Sequence, residues 1–391
     1  MNLLFVNLYQ LYTHDSLLKN LTHMGYHVCD KTYYTPKDFY HDEILESCIL
    51  KDIQNASFDV VFTINYWPLV ASVCHTYHIP YISWSYDSPM NLTSMETMDY
   101  PENFIFIFDK IEYLTYKKKG LHTVYHLPLA ADCIPASSIH KSVDKKYDIS
   151  FVGSLYQSNL PELMQPMSAY NKGYLQAIIA AQKKIYGYYL VDEMLSDELL
   201  LSIHSDYLQA SSQEPSNVYM LSKEELSYSI ATQITHLDRI TLLSLLSKHF
   251  HTALASDPIE KNLQEFFSEI DFLGRVSYQK EMPQLFMDSK INLNPILRAI
   301  RSGIPLRALD ILSCGGFLLS SYQPELAESF IPDQEVVLYD SMEDALAKAD
   351  FYLKHNDLRE KIAINGYQRI RSDFQYSDRL HTMMQTAGIF C

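Results

Sequence analysis

Short continuous apolar runs alternate with amphipathic stretches over the first third of the chain. The runs at 2–8 (NLLFVNL), 26–29 (YHVC), 58–64 (FDVVFTI), 80–84 (PYISW), 104–108 (FIFIF) and 122–127 (HTVYHL) are rich in β-branched and aromatic residues. They lack the strict alternation of a half-exposed strand, so they fit strands buried on both faces, as in a parallel sheet. Between them, residues 16–24, 39–54, 68–78 and 111–119 carry helical patterns. The order is βαβα, which predicts a doubly wound α/β domain over residues 1–135.

The pattern pauses at 136–146, a polar stretch that reads as a linker. A new strand and glycine turn, YDISFVGSLY, open a second region spanning 147–375. Residues 158–246 are helical and rich in Leu, Tyr and Gln, with no strand pattern, and read as an insertion. Strands follow near 249–255, 270–274, 290–294, 316–320 and 335–339, and helices at 341–354, 357–371 and 377–387. The second region is therefore also doubly wound. The expected architecture is two Rossmann-like α/β lobes facing a cleft, with residues 376–391 crossing back to the first.

Composition narrows the function. Apolar residues make up 47% and charged residues 20%, which excludes extensive disorder. A net charge of −16 argues against nucleic acid or an anionic membrane surface as partner, because both demand a basic face. The six cysteines are scattered without a CxxC pair, as in reduced thiols. The N-terminal MNLLFVNLYQ lacks the basic region and cleavage site of a signal peptide, and no apolar run is long enough to span a bilayer. A cytoplasmic location is expected; the oligomeric state is not legible.

The densest chemistry lies in SGIPLRALDILSCGGFLLSS, residues 302–321. Gly303 and Pro305 punctuate the start of a helix, Gly315 and Gly316 end it, and FLLSS returns as a strand. The segment from Lys290 to Arg307 holds Lys290, Arg298, Arg301 and Arg307 and no acid, a local basic exception in an acidic chain. Arg307 and Asp310 stand three apart and share a helix face. Two readings stand: an ordinary surface ion pair, or an arginine addressing a diphosphate beside a carboxylate accepting from a ribose. A helix N-terminus, with its free N–H groups and partial positive charge, suits a phosphate.

The run FLGRVSYQKEMPQLFMDSKINLNPILRAIRSGIPLRALDILSCGGFLLSSYQPEL, followed by AINGYQRIRSDFQYSDRL, resembles the C-terminal domain of the spore maturation protein CgeB-like glycosyltransferases, which have the GT-B fold. FDVVFTINYWP, IPYISWSYDSP, FIFDK and HLPLAAD look like the accompanying N-terminal domain. The resemblance implies a nucleotide-sugar donor held mainly by the second domain and an acceptor, whether glycan, protein or small molecule, bound against the first. In many retaining relatives two glutamates eight positions apart bind the donor; Asp310 falls at the second position and Ser302, with no carboxylate, at the first. In the loop beside the nucleobase, Arg275 and Tyr278 become donor contacts, Tyr278 by stacking or else as surface packing. Gly153 and Ser154 either let the backbone approach the donor phosphates or form a plain tight turn. Ser302, Gly303, Arg298, Arg307 and Asp310 complete the expected donor contacts.

Transfer to a hydroxyl calls for a base when the reaction inverts configuration. Asp87, in SWSYDSP after a predicted strand, is either that base or a turn aspartate before Pro89. His14 is similarly placed after the first strand, with Asp15 as an expected N-cap. No HExxH and no carboxylate cluster at metal-ligand spacing occurs, so neither a metal nor a further cofactor is expected. The alternatives to a transferase are a nucleotide-sugar 2-epimerase-like isomerase and a catalytically silent nucleotide-sugar-binding protein.

Overall fold

The structure is a computed structural model that describes residues 1–9, 11–135, 137, 145–211, 218–259 and 261–389. The expected linker lies largely outside the described residues. The chain divides into two compact units. Unit 1 takes Met1–Ser138, Ser302–Ser313 and Tyr367–Cys391; unit 2 takes Ile139–Arg301 and Cys314–Gly366.

Unit 1 is built on β1 (Asn2–Asn7), α1 (His14–His23), β2 (His27–Thr32), α2 (Glu43–Asn55), β3 (Val60–Ile64), α3 (Pro68–Thr76), β4 (Tyr81–Ser85), β5 (Asn103–Ile107), α4 (Lys110–Lys118) and β6 (Val124–His126). The six strands pair in the order β2-β1-β3-β4-β5-β6, every pair parallel. The continuous apolar runs have their expected cause: every residue of β3 and β4 is buried. At the edge, β2 carries polar His27, Asp30 and Lys31 and is half exposed. Helix α2 starts at Glu43 rather than 39, because Asp42 caps it by accepting from the Leu45 N–H at 3.0 Å. Helix α1 starts at His14, with Thr13 in the capping position and Asp15 inside the first turn, so Asp15 is not the cap the sequence suggests.

Unit 2 carries β7 (Tyr147–Val152), the insertion helices α5 (Leu160–Met164), α6 (Ala169–Gln182), α7 (Val191–Met194), α8 (Asp197–Ala210) and α9 (Lys223–Ser247), then β8 (Thr252–Ala255), β9 (Ile270–Phe272), α10 (Glu281–Met287) and β10 (Ser289–Asn294). Helix α11 (Leu306–Ser313) belongs to unit 1; β11 (Leu318–Ser321), α12 (Pro324–Ser329), β12 (Val337–Tyr339) and α13 (Met342–Lys354) return to unit 2. The second sheet is also parallel, in the order β12-β11-β10-β7-β8-β9. The insertion has its own core, in which Leu175, Ile178, Val191, Leu199, Ile203 and Ile230 pack together.

The chain ends in α14 (Asn356–Asp373) and α15 (Tyr376–Thr386). Helix α15 packs on α1 inside unit 1, burying Tyr376, Leu380, Met383 and Met384. Arg379 fastens it by donating through Nε to the Pro128 carbonyl at 3.0 Å.

Candidate active site

Unit 1 gathers candidates from widely separated stretches of sequence. Asn65, directly after β3, adopts a left-handed φ of 60°, a conformation asparagine tolerates better than most residues. Its side chain donates to Asp87 Oδ2 at 2.7 Å, while its amide oxygen accepts from the backbone N–H groups of Tyr86 and Asp87 at 2.8 and 3.2 Å. Asp87 is thereby held at the carboxyl end of β4, the edge where open α/β sheets bind ligands. Desolvation by the surrounding protein raises its pKa, although the residue reaches solvent, and the Asn65 amide opposes part of that rise.

His14 heads α1 and is fixed on both sides. Its Nε2 lies 3.1 Å from Asp30 Oδ2 on β2, and its ring meets Phe5 edge-on at 4.8 Å. With Nε2 so engaged, Nδ1 is buried and makes no hydrogen bond. Thr13 Oγ1 and the Tyr86 hydroxyl, on two neighbouring loops, are buried beside it. Burial pushes the Tyr86 hydroxyl pKa up; the Tyr376 and Thr13 side chains oppose this, and the carboxylates of Asp310 and Asp132 add to it. Tyr86 thus sits among groups from α15, the β1–α1 loop and α11.

Helix α11 is held at both ends within unit 1. At its start, Ser302 and Gly303 donate their N–H groups to Asp109 Oδ2 at 2.9 and 3.1 Å, and Ser302 Oγ donates to Asp109 Oδ1 at 3.0 Å. Asp109 is completely buried. At the other end, the Ile134 N–H donates to the Ser313 carbonyl at 3.2 Å. Between them Arg307 donates to Asp310 Oδ2 at 3.2 Å, the carboxylate buried and the guanidinium partly exposed.

In unit 2 the basic segment is met by acids of the insertion. Arg298 donates through Nε to Asp238 Oδ2 at 2.8 Å and through Nη1 to the Ile185 carbonyl at 2.8 Å, with its guanidinium 4.0 Å from the Tyr186 ring centre. Burial raises the Asp238 pKa and the Arg298 charge opposes it. Arg301 pairs with Asp192 at 3.1 Å and lies 3.5 Å from the Tyr189 ring centre. These two clamps attach the insertion to the loop after β10.

Gly153, after β7, has a φ of 156°, and a Cβ there would come 3.1 Å from the Phe151 ring, so glycine suits the position. Arg239 of α9 donates to the Ser154 carbonyl and, at 2.7 Å, to the Pro295 carbonyl, tying together the carboxyl ends of β7 and β10. Arg275 is exposed and paired with Asp257, and Tyr278 is half-buried. A shallow, solvent-open pocket lies at the carboxyl ends of β10 and β11, lined by Gln182, Gly187, Tyr189, Arg298, Tyr322 and Gln323. Among the described residues no group of three or more His, Cys, Asp or Glu is placed to hold a metal ion.

Residues 239–385 match a protein family described as glycosyl transferase-like. Among solved structures, sucrose-phosphate synthase from Thermosynechococcus elongatus aligns at a TM-score of 0.60 and 10% identity, covering 99% of this chain and 98% of its own. HepE from Anabaena, in complex with UDP and glucose, aligns at 0.59 and 10% identity over 100% of both chains. A glycosyltransferase from Rickettsia africae aligns at 0.58 and 10% identity, over 99% of this chain and 97% of its own. The fold is that of the GT-B glycosyltransferases. No curated protein matches the sequence.

Within this GT-B fold, unit 1 holds His14, Asp87, Ser302, Gly303, Arg307 and Asp310, and unit 2 holds Gly153, Ser154, Arg275, Tyr278 and Arg298. Asn65, Tyr86, Asp30, Asp109 and Arg239 escape a reading of the sequence. Only Asn65 carries a local signal, an asparagine at the end of an apolar strand, where a left-handed turn is common. The others act through partners far along the chain, Asp109 doing so in addition to its local role as the cap of α4. No described helix is long and apolar enough to cross a membrane.

Proposed function

We propose that this protein is a nucleotide-sugar-dependent glycosyltransferase that transfers a sugar to an acceptor hydroxyl. The observation that carries the reading is the whole-length GT-B fold, shared with a HepE structure bound to UDP and glucose. The Arg307–Asp310 pair on α11 supplies chemistry that fits it. A guanidinium stabilises the diphosphate, whose negative charge grows as the glycosidic bond breaks. A neighbouring carboxylate accepts hydrogen bonds from ribose hydroxyls.

Asp87, oriented by Asn65, is our first candidate to accept the acceptor proton, and His14, oriented by Asp30, the second. From the sequence we also propose donor contacts at Gly153, Ser154, Arg275, Tyr278 and Arg298, with Ser302 and Gly303 serving the donor by placing the start of α11, together with membership of the CgeB-like subfamily, a cytoplasmic location and independence from divalent metal.

The test is a thermal-shift panel of nucleoside diphosphates and their sugars, followed by turnover without acceptor. A transferase shows stabilisation by one nucleotide class and slow donor hydrolysis. Conversion of the donor into an isomer would establish an epimerase instead, and the absence of any nucleotide-dependent shift would reject the reading.

A further inference from the structure

The first turn of α4 carries two buried carboxylates that reach out of the helix in different directions. Asp109, the capping residue, accepts from the Glu112 N–H at 3.0 Å through the same Oδ1 that receives Ser302 Oγ. Its Oδ2 receives the consecutive N–H groups of Ser302 and Gly303. Ser302 Oγ in turn accepts from the Ile111 N–H at 3.1 Å. The fit is close at the backbone as well: a Cβ on Gly303 would come within 2.7 Å of the Phe108 ring and 3.0 Å of the Asp109 Cα. Glu112 turns to the other segment, accepting from Ser88 Oγ at 2.6 Å and from the Met90 N–H at 2.8 Å. One helical turn therefore grips both the lead-in to α11, with Arg307 and Asp310, and the loop that carries Asp87.

We infer that Asp109 and Glu112 are positioning residues, Asp109 setting the donor-binding helix and Glu112 setting the Asp87 loop against it. The inference rests on the reading of α11 as donor-binding and of Asp87 as the proton acceptor. Its physical basis is division of labour between the oxygens. Asparagine at 109 keeps a single acceptor oxygen, so it can serve the α4 cap or the Ser302–Gly303 amides but not both. Two consecutive N–H groups ahead of a helix form a natural anion site. Here a protein carboxylate fills it, so the amides orient the segment, and the diphosphate falls to Arg307.

The experiment compares the full chain with Asp109→Asn, Glu112→Gln and, as a control, Glu102→Gln, which disturbs the pairing of Glu102 with His75 and His78 elsewhere in unit 1. Hydrogen exchange is followed over residues 302–313 and 86–92, with UDP affinity and donor turnover alongside. Asp109→Asn is expected to raise exchange in 302–313 only and to weaken UDP by about tenfold. Glu112→Gln is expected to raise exchange in 86–92 only, leave UDP affinity within about twofold and lower turnover at least about tenfold.

The inference is overturned if both variants loosen both segments equally with a general fall in melting temperature, or if neither segment changes. It is also overturned if Glu102→Gln reproduces the same split. Should Asp109→Asn fail to fold, Ser302→Ala removes one hydroxyl bridge to the same carboxylate and must raise exchange over 302–313. If the wild type binds no nucleoside diphosphate, the proposed function fails while the exchange measurements still decide the positioning.

Discussion

Replacing Asp310 with alanine tests the reading of α11, because loss of the Arg307 ion pair and loss of a ribose contact would differ in size. In the folded protein Asp310 receives Arg307 at 3.2 Å, and that guanidinium is 26% exposed, so water screens much of the ion pair. Such a pair contributes about 1 kcal/mol or less to stability. For a domain of this size that corresponds to a fall of about 2–4 °C in Tm. If Asp310 also accepts from the ribose of a nucleoside diphosphate, the variant loses a hydrogen bond to a charged group of about 1.5–3 kcal/mol. The dissociation constant should then rise about 10- to 150-fold. Titration calorimetry with UDP at fixed ionic strength measures the second effect and a melting curve the first. Arg307→Ala should weaken UDP and slow turnover by about a hundredfold, since its charge partner grows in the transition state. An unchanged UDP affinity in both variants, with melting temperatures within a few degrees of wild type, would refute the assignment of α11.

Asp87→Asn should leave UDP affinity near wild type and lower transfer by about a hundredfold to ten-thousandfold, the span of a general base; near-normal transfer would move the role to His14. Because desolvation raises the Asp87 pKa and the base works ionised, the acid limb of kcat/KM should lie above the ordinary aspartate range. Asn65→Ala, which removes the amide that lowers this pKa, should move the limb to higher pH still; an unmoved limb would disconnect the two residues. The raised pKa also means that any stabilisation from Asp87 is present at low pH and lost as pH rises through the folded value, so Asp87→Asn should melt no lower than wild type at pH 7. In unit 2, Asp238→Ala leaves the buried Arg298 guanidinium without its carboxylate and should cost about 3–5 kcal/mol, read by denaturant unfolding; a loss below about 1 kcal/mol would show the clamp to be dispensable. Activity should survive EDTA; loss on chelation, restored by magnesium or manganese, would reject metal independence.

The sheets are written locally and the site is not. Parallel strands buried on both faces must be apolar at nearly every position, so VVFTI and YISWS announce β3 and β4 without knowledge of their neighbours. Edge strand β2 is harder to bound, since HVCDKT mixes buried and charged positions, and the structure extends it to Thr32. Arg307 and Asp310 are legible as a pair because an α-helix brings residues three apart together, whatever surrounds it. The basic segment is legible only as charge. That Arg298 and Arg301 are drawn to Asp238 and Asp192 depends on the insertion folding back on the loop after β10, from 60 to 109 residues away.

Asp109 shows the same division most sharply. Along the chain it is one more capping aspartate before a helix, and Ser302 lacks a carboxylate where a related pattern has one. In space the two meet, 193 residues apart, and a carboxylate stands beside Ser302 after all. Local sequence determines what depends on backbone period and burial, because these act within a few residues. Which buried carboxylate satisfies which N–H is decided only when distant segments pack, because an unpaired polar group in the interior is costly and any suitable partner brought close enough will serve.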